Sequence, residues 1–277
     1  MMQSLTDPSD KESASDEAPA GRSGDLLQSL TRGLAVLRGF SRQHATMSVS
    51  EVARTANLSR ATARRVLLTL EDLGYVRSEH ARYSLRPKVL ELGYAYLSSL
   101  YPWDYALPIM QAFSAEIDEN CLAGVLDGRD VVCVARTTRK PVSVSVPVGG
   151  RIPAFASSMG RVILASEGNG KLDDYLGHVS LRAYTPQTIT SVQDLRSELE
   201  RVRTQGWSLV QHELEADVVG IAAPIYGSGR RVVAALNVSM HGNHEESSDR
   251  ISQIRARLLE CSQELSLLFA GSTSLGA

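Results

Sequence analysis

The sequence predicts an α+β protein of two domains, a small winged helix-turn-helix module and a larger domain built on an antiparallel sheet. Its 277 residues are 43% hydrophobic, which is enough for a core in each domain. Residues 48–66 have the pattern of two helices joined by a tight turn, and two short strand-like runs follow them. Beyond residue 100, runs with strand alternation and runs with helical periodicity succeed one another, which is typical of an α+β domain.

Residues 1–24 are predicted to form a disordered tail, because they are rich in Ser, Asp, Glu, Ala, Pro and Gly and have almost no hydrophobic periodicity. The segment LLQSLTRGLAVLRGF then predicts the first helix of a winged module that spans residues 25–86. Arg32 is expected on the polar side of this helix. The leucines at helical spacing are Leu27, Leu30, Leu34 and Leu37.

The helix-turn-helix is predicted from its caps and its bend. Ser48 and Glu51 have the spacing of a capping box, which sets the start of the first helix. Asn57 tolerates the left-handed backbone of the bend, and Ser59 is a good N-cap for the second helix. Gly74 is expected just past the end of that helix. The buried stripe of the second helix is predicted to be Ala63, Val66, Leu67 and Leu70.

The outer face of the second helix carries arginine and threonine, whose donors suit phosphate oxygens and the acceptor edge of guanine. A hairpin around Glu79–Ala81 would form the wing, and His80 and Arg82 at its tip could reach the DNA backbone or a minor groove. A solvated helix face or a protein-binding module is the alternative interpretation. The predicted contacts with double-stranded operator DNA are Arg32, Ser48, Ser59, Arg60, Thr62, Arg64, Arg65, Arg77 and Arg82.

The distribution of charge supports the DNA interpretation. The whole chain has a formal net charge of -2, but residues 26–90 hold eleven basic and four acidic side chains. The excess of acid lies in residues 1–25 and 91–277. The positive field is therefore concentrated on the small module, where a polyanion would bind.

Residues 87–100 predict a linker helix that begins at Pro87. Its apolar side chains lie on more than one face, so that it is expected to pack against a partner, which we take to be its copy in a homodimer. These side chains are Val89, Leu90, Leu92, Tyr94, Tyr96 and Leu97.

The second domain is predicted over residues 101–277. Its expected helices are residues 106–119, 157–166, 171–176, 191–206 and 250–269. Its expected strands are two that flank a turn at 127–130, one at 142–148, and three at 207–214, 220–226 and 232–240.

Several function classes have no support in the sequence. The chain has no G-x-S-x-G elbow, no Walker loop and no Rossmann fingerprint. His241 and His244 are three residues apart, but Gly242 and Asn243 favour a turn there and no third ligand follows. We therefore expect no cofactor, no metal and no enzyme activity. The alternative is a small-acid-processing enzyme that uses the winged module for assembly, with Ser157 or Ser158 as its nucleophile.

The cellular setting follows from cysteine usage and hydropathy. Cys121, Cys133 and Cys261 are scattered and include no C-x-x-C pair, which suits a reducing cytoplasm. The sequence shows no signal peptide and no apolar run near 18 residues. These features predict a soluble, cytoplasmic protein without membrane contact.

Several separated segments resemble the IclR family of bacterial transcriptional regulators. They are SLTRGLAVLRGF, the helix-turn-helix with its wing, VPVGGRIPAFASSMGRVILA and VVAALNVS. The last two are similar to the branch that controls protocatechuate, p-hydroxybenzoate and β-ketoadipate pathway genes, the PcaR, PcaU and PobR type. The resemblance implies a GAF-like effector-binding domain over residues 101–277, a small organic acid as effector, and dimers that often pair into tetramers.

The resemblance also indicates where the effector would bind. In the loop of residues 149–160, Ser157 or Ser158 would cap a helix whose free amides favour a carboxylate. Phe155 and Met159 could wall an aromatic ring, although both residue types are more often plain core. Arg151 could clamp the carboxylate or lie at the surface. The candidate effector residues are Arg151, Phe155, Ser157, Ser158, Met159, Gly160, Val218, Gly220, Asn237 and Ser239.

Three acidic residues near this site bear on an anionic ligand. Glu213, Glu215 and Asp217 would repel a dicarboxylate if all of them faced the cavity. Strand alternation would place Glu213 and Glu215 on one face, which we expect to be the solvated one.

Overall fold

A computed structural model describes residues 26–41, 43–99, 102–140, 146–241 and 248–271. The contacts divide the chain into two compact units, one ending at Glu91 and one beginning at Leu92. The predicted tail at residues 1–24 lies outside the described residues, as do residues 242–247 with the proposed turn after His241. Among the described residues, no helix has the length and apolar composition needed to cross a bilayer.

The first unit is a helix-turn-helix with a small antiparallel sheet. Its elements are α1 (Gln28–Gly39), β1 (Thr46–Ser48), α2 (Val49–Thr55), α3 (Arg60–Asp72), β2 (Val76–Glu79) and β3 (Arg82–Leu85). The strand order is β1-β3-β2, with the β2–β3 hairpin forming the wing. The short strand β1 was not predicted, because three residues are too few for alternation to be visible in the sequence.

The local signals of the helix-turn-helix are confirmed. Ser48 accepts the amide of Glu51, and the Glu51 carboxylate accepts the amide of Ser48, which completes the capping box. Asn57 has φ 52° at the bend, and Gly74 has φ 81° just past α3. The buried core comprises Val36, Met47, Val52, Ala53, Ala63, Leu67, Leu70, Val76 and Tyr83.

The leucine stripe of α1 lies mostly at the surface. Leu30 is 60% exposed and Leu34 48% exposed, and Leu27 is exposed as well. The core contact of the helix is made instead by Val36, with Leu37 partly buried beside it. The helical period was correct, but the period alone does not tell which face is buried.

A 3-10 turn at Pro87–Val89 leads into α4 (Leu90–Ser99), with proline at the start as predicted. The side chains of Leu90, Leu92, Tyr94 and Tyr96 on α4 are exposed.

The second unit has a six-stranded antiparallel sheet within the described residues, in the order β6-β5-β4-β9-β8-β7. Its strands are β4 (Asn120–Asp127), β5 (Asp130–Arg136), β6 (Arg151–Pro153), β7 (Ser208–Gln211), β8 (Val218–Tyr226) and β9 (Val232–His241). Its helices are α5 (Trp103–Ile117), α6 (Ser158–Ser166), α7 (Asn169–His178), α8 (Val192–Gln205) and α9 (Ser248–Ala270).

Strand alternation divides the hydrophobic residues of this unit between two cores. On β8, Val219, Ile221 and Ala223 pack on the face covered by α5 and α9. Ala222 and the β4 residue Leu122 join the other core, beneath α6 and α8. The second face holds the helix that the sequence assigned to an effector site.

Two strand predictions were wrong in their extent. Residues 141–145 lie outside the described residues, and Val146–Val148 do not form a strand; a short edge strand, β6, follows them. The strand predicted over residues 207–214 ends at Gln211, because His212 adopts φ 60° and turns the chain. This turn changes where the acidic residues after it point.

Candidate functional site

The outer face of α3 is open to solvent. The Ser59 hydroxyl accepts the amide of Thr62 at 3.2 Å and so begins the helix as predicted. With Leu67 buried, the helical period turns Ala61, Arg64 and Leu68 outward, and all three are exposed. The apolar Ala61 and Leu68 were not foreseen as part of this face.

Three guanidinium groups on α3 are available to a partner. Arg60, Arg64 and Arg65 are exposed. In the part of the chain that the structure describes, no hydrogen bond or ion pair engages their side chains. Each guanidinium offers five N–H donors in a fixed geometry, which suits phosphate and guanine.

Arg82 and Arg77 on the wing have partners inside the module. The Arg82 side chain donates to the carbonyl of Thr46 at 2.8 Å and lies 3.4 Å from the Glu51 carboxylate, so it ties the wing to β1 and α2. Arg77 donates to the Ser84 hydroxyl and pairs with Glu79 at 3.4 Å. The wing tip is formed by His80 and Ala81, both with positive φ.

Arg32 and Ser48 also have local structural roles. Arg32 is half-buried and donates to Gln28 at 2.8 Å. The Ser48 hydroxyl is used as the N-cap of α2. The structure thus separates the predicted DNA contacts into the open arginines of α3 and residues that hold the module together.

The second unit contains a cavity of about 70 Å³ between the sheet and the N-terminus of α6. Its floor comes from alternate residues of four neighbouring strands: Leu122 on β4, Asn237 and Ser239 on β9, Val218 and Gly220 on β8, and Val210 on β7. Its walls are formed by Val146, Ile152, Ala156, Ser157, Ser158, Met159, Leu214 and Glu215.

Seven of the ten candidate effector residues line this cavity: Ser157, Ser158, Met159, Val218, Gly220, Asn237 and Ser239. The strand residues Leu122 and Val210 were missed. They lie opposite Asn237 and Gly220 in the strand register, which a single sequence does not reveal.

The other three candidates lie elsewhere. Arg151 donates to Asp127 at 2.7 Å and to Asp130 at 3.0 Å, so its charge is engaged at the exposed end of the β4–β5 hairpin. Phe155 is buried in the core, with its ring 6.1 Å from that of Tyr184. At Gly160 a Cβ atom would lie 2.1 Å from the carbonyl oxygen of Ala154, so this glycine permits close packing of backbone.

The N-terminus of α6 offers amide donors at the cavity wall. The Ser157 hydroxyl accepts the amide of Gly160 at 3.1 Å, and its carbonyl accepts that of Arg161. The first amides of an α-helix have no partner within the helix, which leaves those of Ser158 and Met159 beside the cavity. This end of the helix also carries the positive end of the helix dipole, so it favours an anion.

A chain of polar side chains leads to the same place. The Ser239 hydroxyl donates to the Asn237 carbonyl oxygen at 2.8 Å, and the Asn237 amide donates to the Ser158 hydroxyl at 2.9 Å. The amide also donates to the carbonyl of Ile221, which fixes its orientation. Because the Ser158 oxygen accepts from Asn237, its own hydrogen is available for a further acceptor. The bonds from Ser239 to Asn237 and from Asn237 to Ser158 thus leave the Ser158 hydroxyl as the donor at the cavity.

The expectation that Glu213 and Glu215 both point outward was wrong. After the turn at His212, Glu213 is buried and forms a bidentate ion pair with Arg161, at 2.7 and 2.5 Å. Arg161 on α6 is 1% exposed and also donates to the carbonyl of Phe155. Glu215 lines the cavity instead. Alternation failed here because the strand had already ended.

All three cysteines are buried. Burial raises the pKa of Cys121 to about 12 and that of Cys133 to about 11. These thiols are packed as small hydrophobic side chains.

Comparison with known proteins agrees with both units. The model for the IclR helix-turn-helix domain matches residues 29–80, and the model for the bacterial transcriptional regulator IclR C-terminal domain matches residues 94–267. The chain is 39% identical to the Pca regulon regulatory protein of Pseudomonas putida, over 87% of this chain and 84% of that protein.

Two solved structures are similar over most of the chain. A transcriptional regulator of Rhodococcus sp. RHA1 superposes with a TM-score of 0.79 at 39% identity, over 88% of this chain and 98% of that one. An IclR homolog of Microbacterium hydrocarbonoxydans, solved in complex with 4-hydroxybenzoate, has a TM-score of 0.74 at 26% identity, over 86% and 99% of the two chains.

The chain therefore belongs to the IclR family of bacterial transcriptional regulators, with a DNA-binding helix-turn-helix domain and a C-terminal effector domain. Within the family it is similar to the Pca regulon and Pca operon regulatory proteins of Pseudomonas putida and Acinetobacter baylyi and to the p-hydroxybenzoate hydroxylase transcriptional activator of Acinetobacter baylyi. Its relatives are regulators and not enzymes, so the enzyme alternative has no support.

Proposed function

We propose that this regulator binds operator DNA through α3 and that a small aromatic or ring-cleavage acid in the cavity controls its operator binding or activity. The genes it governs would be those of aromatic catabolism, with an effector of the protocatechuate, p-hydroxybenzoate or β-ketoadipate type. The observation that carries the effector part is the donor chain from Ser239 through Asn237 to Ser158, which ends beside the free amides of α6.

The DNA part rests on the open arginines. Arg60, Arg64 and Arg65 would make the base and phosphate contacts, since α3 presents their guanidinium groups without competing partners. The half-buried Thr62, whose hydroxyl accepts from that of Ser59, would add a contact by donating its own hydrogen. Residues with internal partners would serve mainly to position the module and to contact phosphate. These are Arg32, Ser48, Ser59, Arg77 and Arg82.

The effector part is supported by chemistry and by resemblance. A carboxylate would accept from the Ser158 hydroxyl and the first amides of α6, while Met159 and the strand residues would contact an apolar ring. The similar Microbacterium protein was solved with 4-hydroxybenzoate, an acid of this class. Binding of the acid would shift operator affinity by the usual allosteric coupling of roughly 1–3 kcal/mol.

A second copy of the chain is part of the proposal. Helix-turn-helix dimers place two recognition helices in successive major grooves of a palindromic or repeated operator. The exposed leucines of α1 and the exposed apolar side chains of α4 form surfaces that a second copy would cover, and two dimers would pair into a tetramer.

The test is a titration of the protein with DNA from the region upstream of its own gene, at two salt concentrations, with and without aromatic acids. We expect tight binding that falls steeply with salt and shifts with one acid. Operator binding that no acid changes would contradict the proposal that an aromatic acid is the effector. Absence of specific binding at either salt concentration would show that this DNA region does not contain an operator of the protein.

A further inference from the structure

We propose that Glu215 determines effector specificity by accepting a hydrogen bond from a hydroxyl group at the far end of the bound ring. The effector would then be a hydroxylated aromatic monocarboxylate, and dicarboxylates such as β-ketoadipate would be excluded. This inference rests on the proposed function and narrows its ligand class.

The two polar ends of the cavity lie apart along the strand direction. Gly220 is near the donor end, because a Cβ atom there would lie 3.0 Å from the Ser158 hydroxyl oxygen. Val218, the next residue of β8 on the same face, lies roughly 7 Å further along the strand. Glu215 belongs to the segment that precedes Val218, so its backbone lies toward the other end of the cavity from Ser158, and its side chain lines the cavity.

The surface between the two ends is apolar. Val218 lies on the floor on the Glu215 side of Gly220, Val210 and Leu122 lie level with Gly220 and Asn237, and Met159 and Leu214 form apolar walls. A flat ring fits such a surface, since burying its faces costs no hydrogen bonds. A ligand that spans the cavity would therefore have a ring in the middle and a polar group at each end.

The charges make the two ends different. Among the described residues that line the cavity, none is Lys, Arg or His, and Glu215 is the one with a carboxylate. The end at Ser158 offers N–H and O–H donors to an anion. The end at Glu215 offers acceptors, so it accommodates a hydroxyl donor and repels a second carboxylate. A carboxylate has about four acceptor sites, so a ligand hydroxyl adds to whatever partners Glu215 already has.

The position of Glu215 is held by its neighbour. The bidentate ion pair of Glu213 with the buried Arg161 anchors the segment between β7 and β8 to α6. The backbone carbonyl of Glu213 accepts from the Thr188 hydroxyl at 2.5 Å, and the amide of Ile189 donates to its carboxylate at 3.1 Å. Since α6 also supplies the donor end, both polar ends of the cavity are fixed to one helix.

The experiment is isothermal titration calorimetry on the full chain with matched benzoic acids. The ligands are 3-hydroxybenzoate, 4-hydroxybenzoate, unsubstituted benzoate and terephthalate, which carries a second carboxylate. We expect the wild type to bind the better hydroxybenzoate roughly tenfold more tightly than benzoate, as for one hydrogen bond to a charged group. It should bind terephthalate least.

In Glu215→Gln the preference for the hydroxyl should fall to about threefold or less, because a neutral amide accepts more weakly. Benzoate affinity should not fall, because benzoate has no hydroxyl for Glu215 to accept from, and terephthalate affinity should rise most, because the repelling carboxylate is gone. Asp217→Asn is the matched control, since Asp217 is in the same segment but does not line the cavity. It should keep the wild-type order of ligands.

Two results would count against the inference, and they are distinguishable. Equal loss of benzoate and hydroxybenzoate affinity in Glu215→Gln would show that Glu215 does not recognise the hydroxyl, while the proposed aromatic effector would stand. Absence of binding of any of these acids to the wild type would overturn the aromatic effector itself, and the role of Glu215 with it.

Discussion

Among the arginines of the first unit, Arg64 is placed best for a base contact. It lies on the outer face of α3, in the first half of the helix, and its guanidinium has no internal partner within the described chain. Arg82 is the contrasting case, since its donors already hold the wing to β1. Exposure alone would have ranked the two residues equally, whereas their partners separate them.

Arg64→Ala should weaken operator binding by about 1–3 kcal/mol, the range for a lost bidentate base contact. The measurement is an operator titration beside a calorimetric titration of the effector, whose affinity should not change. Arg201→Ala on α8 removes an exposed arginine from the other unit and serves as the control. Loss of both affinities in Arg64→Ala would point to misfolding.

Gly220 is the residue that allows the donor chain to form. A Cβ atom at this position would lie 3.0 Å from the Ser158 hydroxyl oxygen and 3.2 Å from the Asn237 amide nitrogen. Both contacts are tighter than side chains normally accept, so an alanine would displace one of the two groups. Its φ is not in the left-handed region, so the requirement for glycine here is one of space.

Gly220→Ala should therefore lower effector affinity by roughly tenfold, equivalent to about 1.4 kcal/mol, while operator binding without effector stays the same. Calorimetry with the acid that shifts operator binding measures the loss. Gly170→Ala on α7 is the control, because nothing lies within 4 Å of its added methyl group. Full effector affinity in Gly220→Ala would mean that the donor chain does not contact the ligand.

At the scale of elements, the β7–β8 connection is joined to α6 by one buried ion pair. Arg161 forms two hydrogen bonds with Glu213, its Nε–H donates to the carbonyl of Phe155, and the Glu198 carboxylate of α8 lies 3.8 Å from the guanidinium. A buried pair of this kind adds little net stability compared with apolar residues, but removal of Glu213 leaves Arg161 with the more distant Glu198 carboxylate, 3.8 Å away.

Glu213→Gln should destabilise the second unit by about 1–3 kcal/mol, because Arg161 loses both hydrogen bonds to its nearer counter-charge and keeps the Glu198 carboxylate 3.8 Å away. Chemical denaturation followed by circular dichroism measures the change. In the double variant Arg161→Met with Glu213→Gln the loss should be smaller, since no charge is then left unpaired. A single variant as stable as the wild type would contradict the buried position of this pair.

At the scale of the whole molecule, the apolar stripe of α1 requires an explanation. Leu30 and Leu34 lie one turn apart and are both largely exposed, next to the exposed Leu26 and Leu27. A row of leucines at the start of a DNA-binding unit is a surface that a second copy would cover. The proposed dimer therefore depends on α1 as well as on α4.

Leu34→Glu should shift the protein toward the monomer and weaken operator binding, because a carboxylate on this stripe is costly to bury against a second copy. Sedimentation analysis at several concentrations measures the shift, and circular dichroism checks that the fold is intact. Leu267→Glu, on the exposed face of α9, is the matched control. A Leu34→Glu protein with an unchanged mass in solution would rule α1 out of the interface.

Much of the first unit was predictable because its signals are local. A capping box, an asparagine at a bend and a glycine after a helix act over three or four residues, so the sequence contains the complete interaction. The cavity was predictable in outline for a different reason. The segments around Ser157 and Asn237 resemble a known family, and the resemblance supplied positions that spacing alone does not.

The sequence by itself determined the fold class, the two units, the caps of α2 and α3, and the concentration of positive charge on the DNA-binding unit. Only the tertiary structure decided which arginines have partners within the protein and that Arg151 lies away from the cavity. It also decided that Glu213 is buried in an ion pair and that Glu215 lines the cavity. The physical reason is range: caps and periods depend on neighbouring residues, whereas strand register, ion pairs and cavity walls join residues that are distant in the chain.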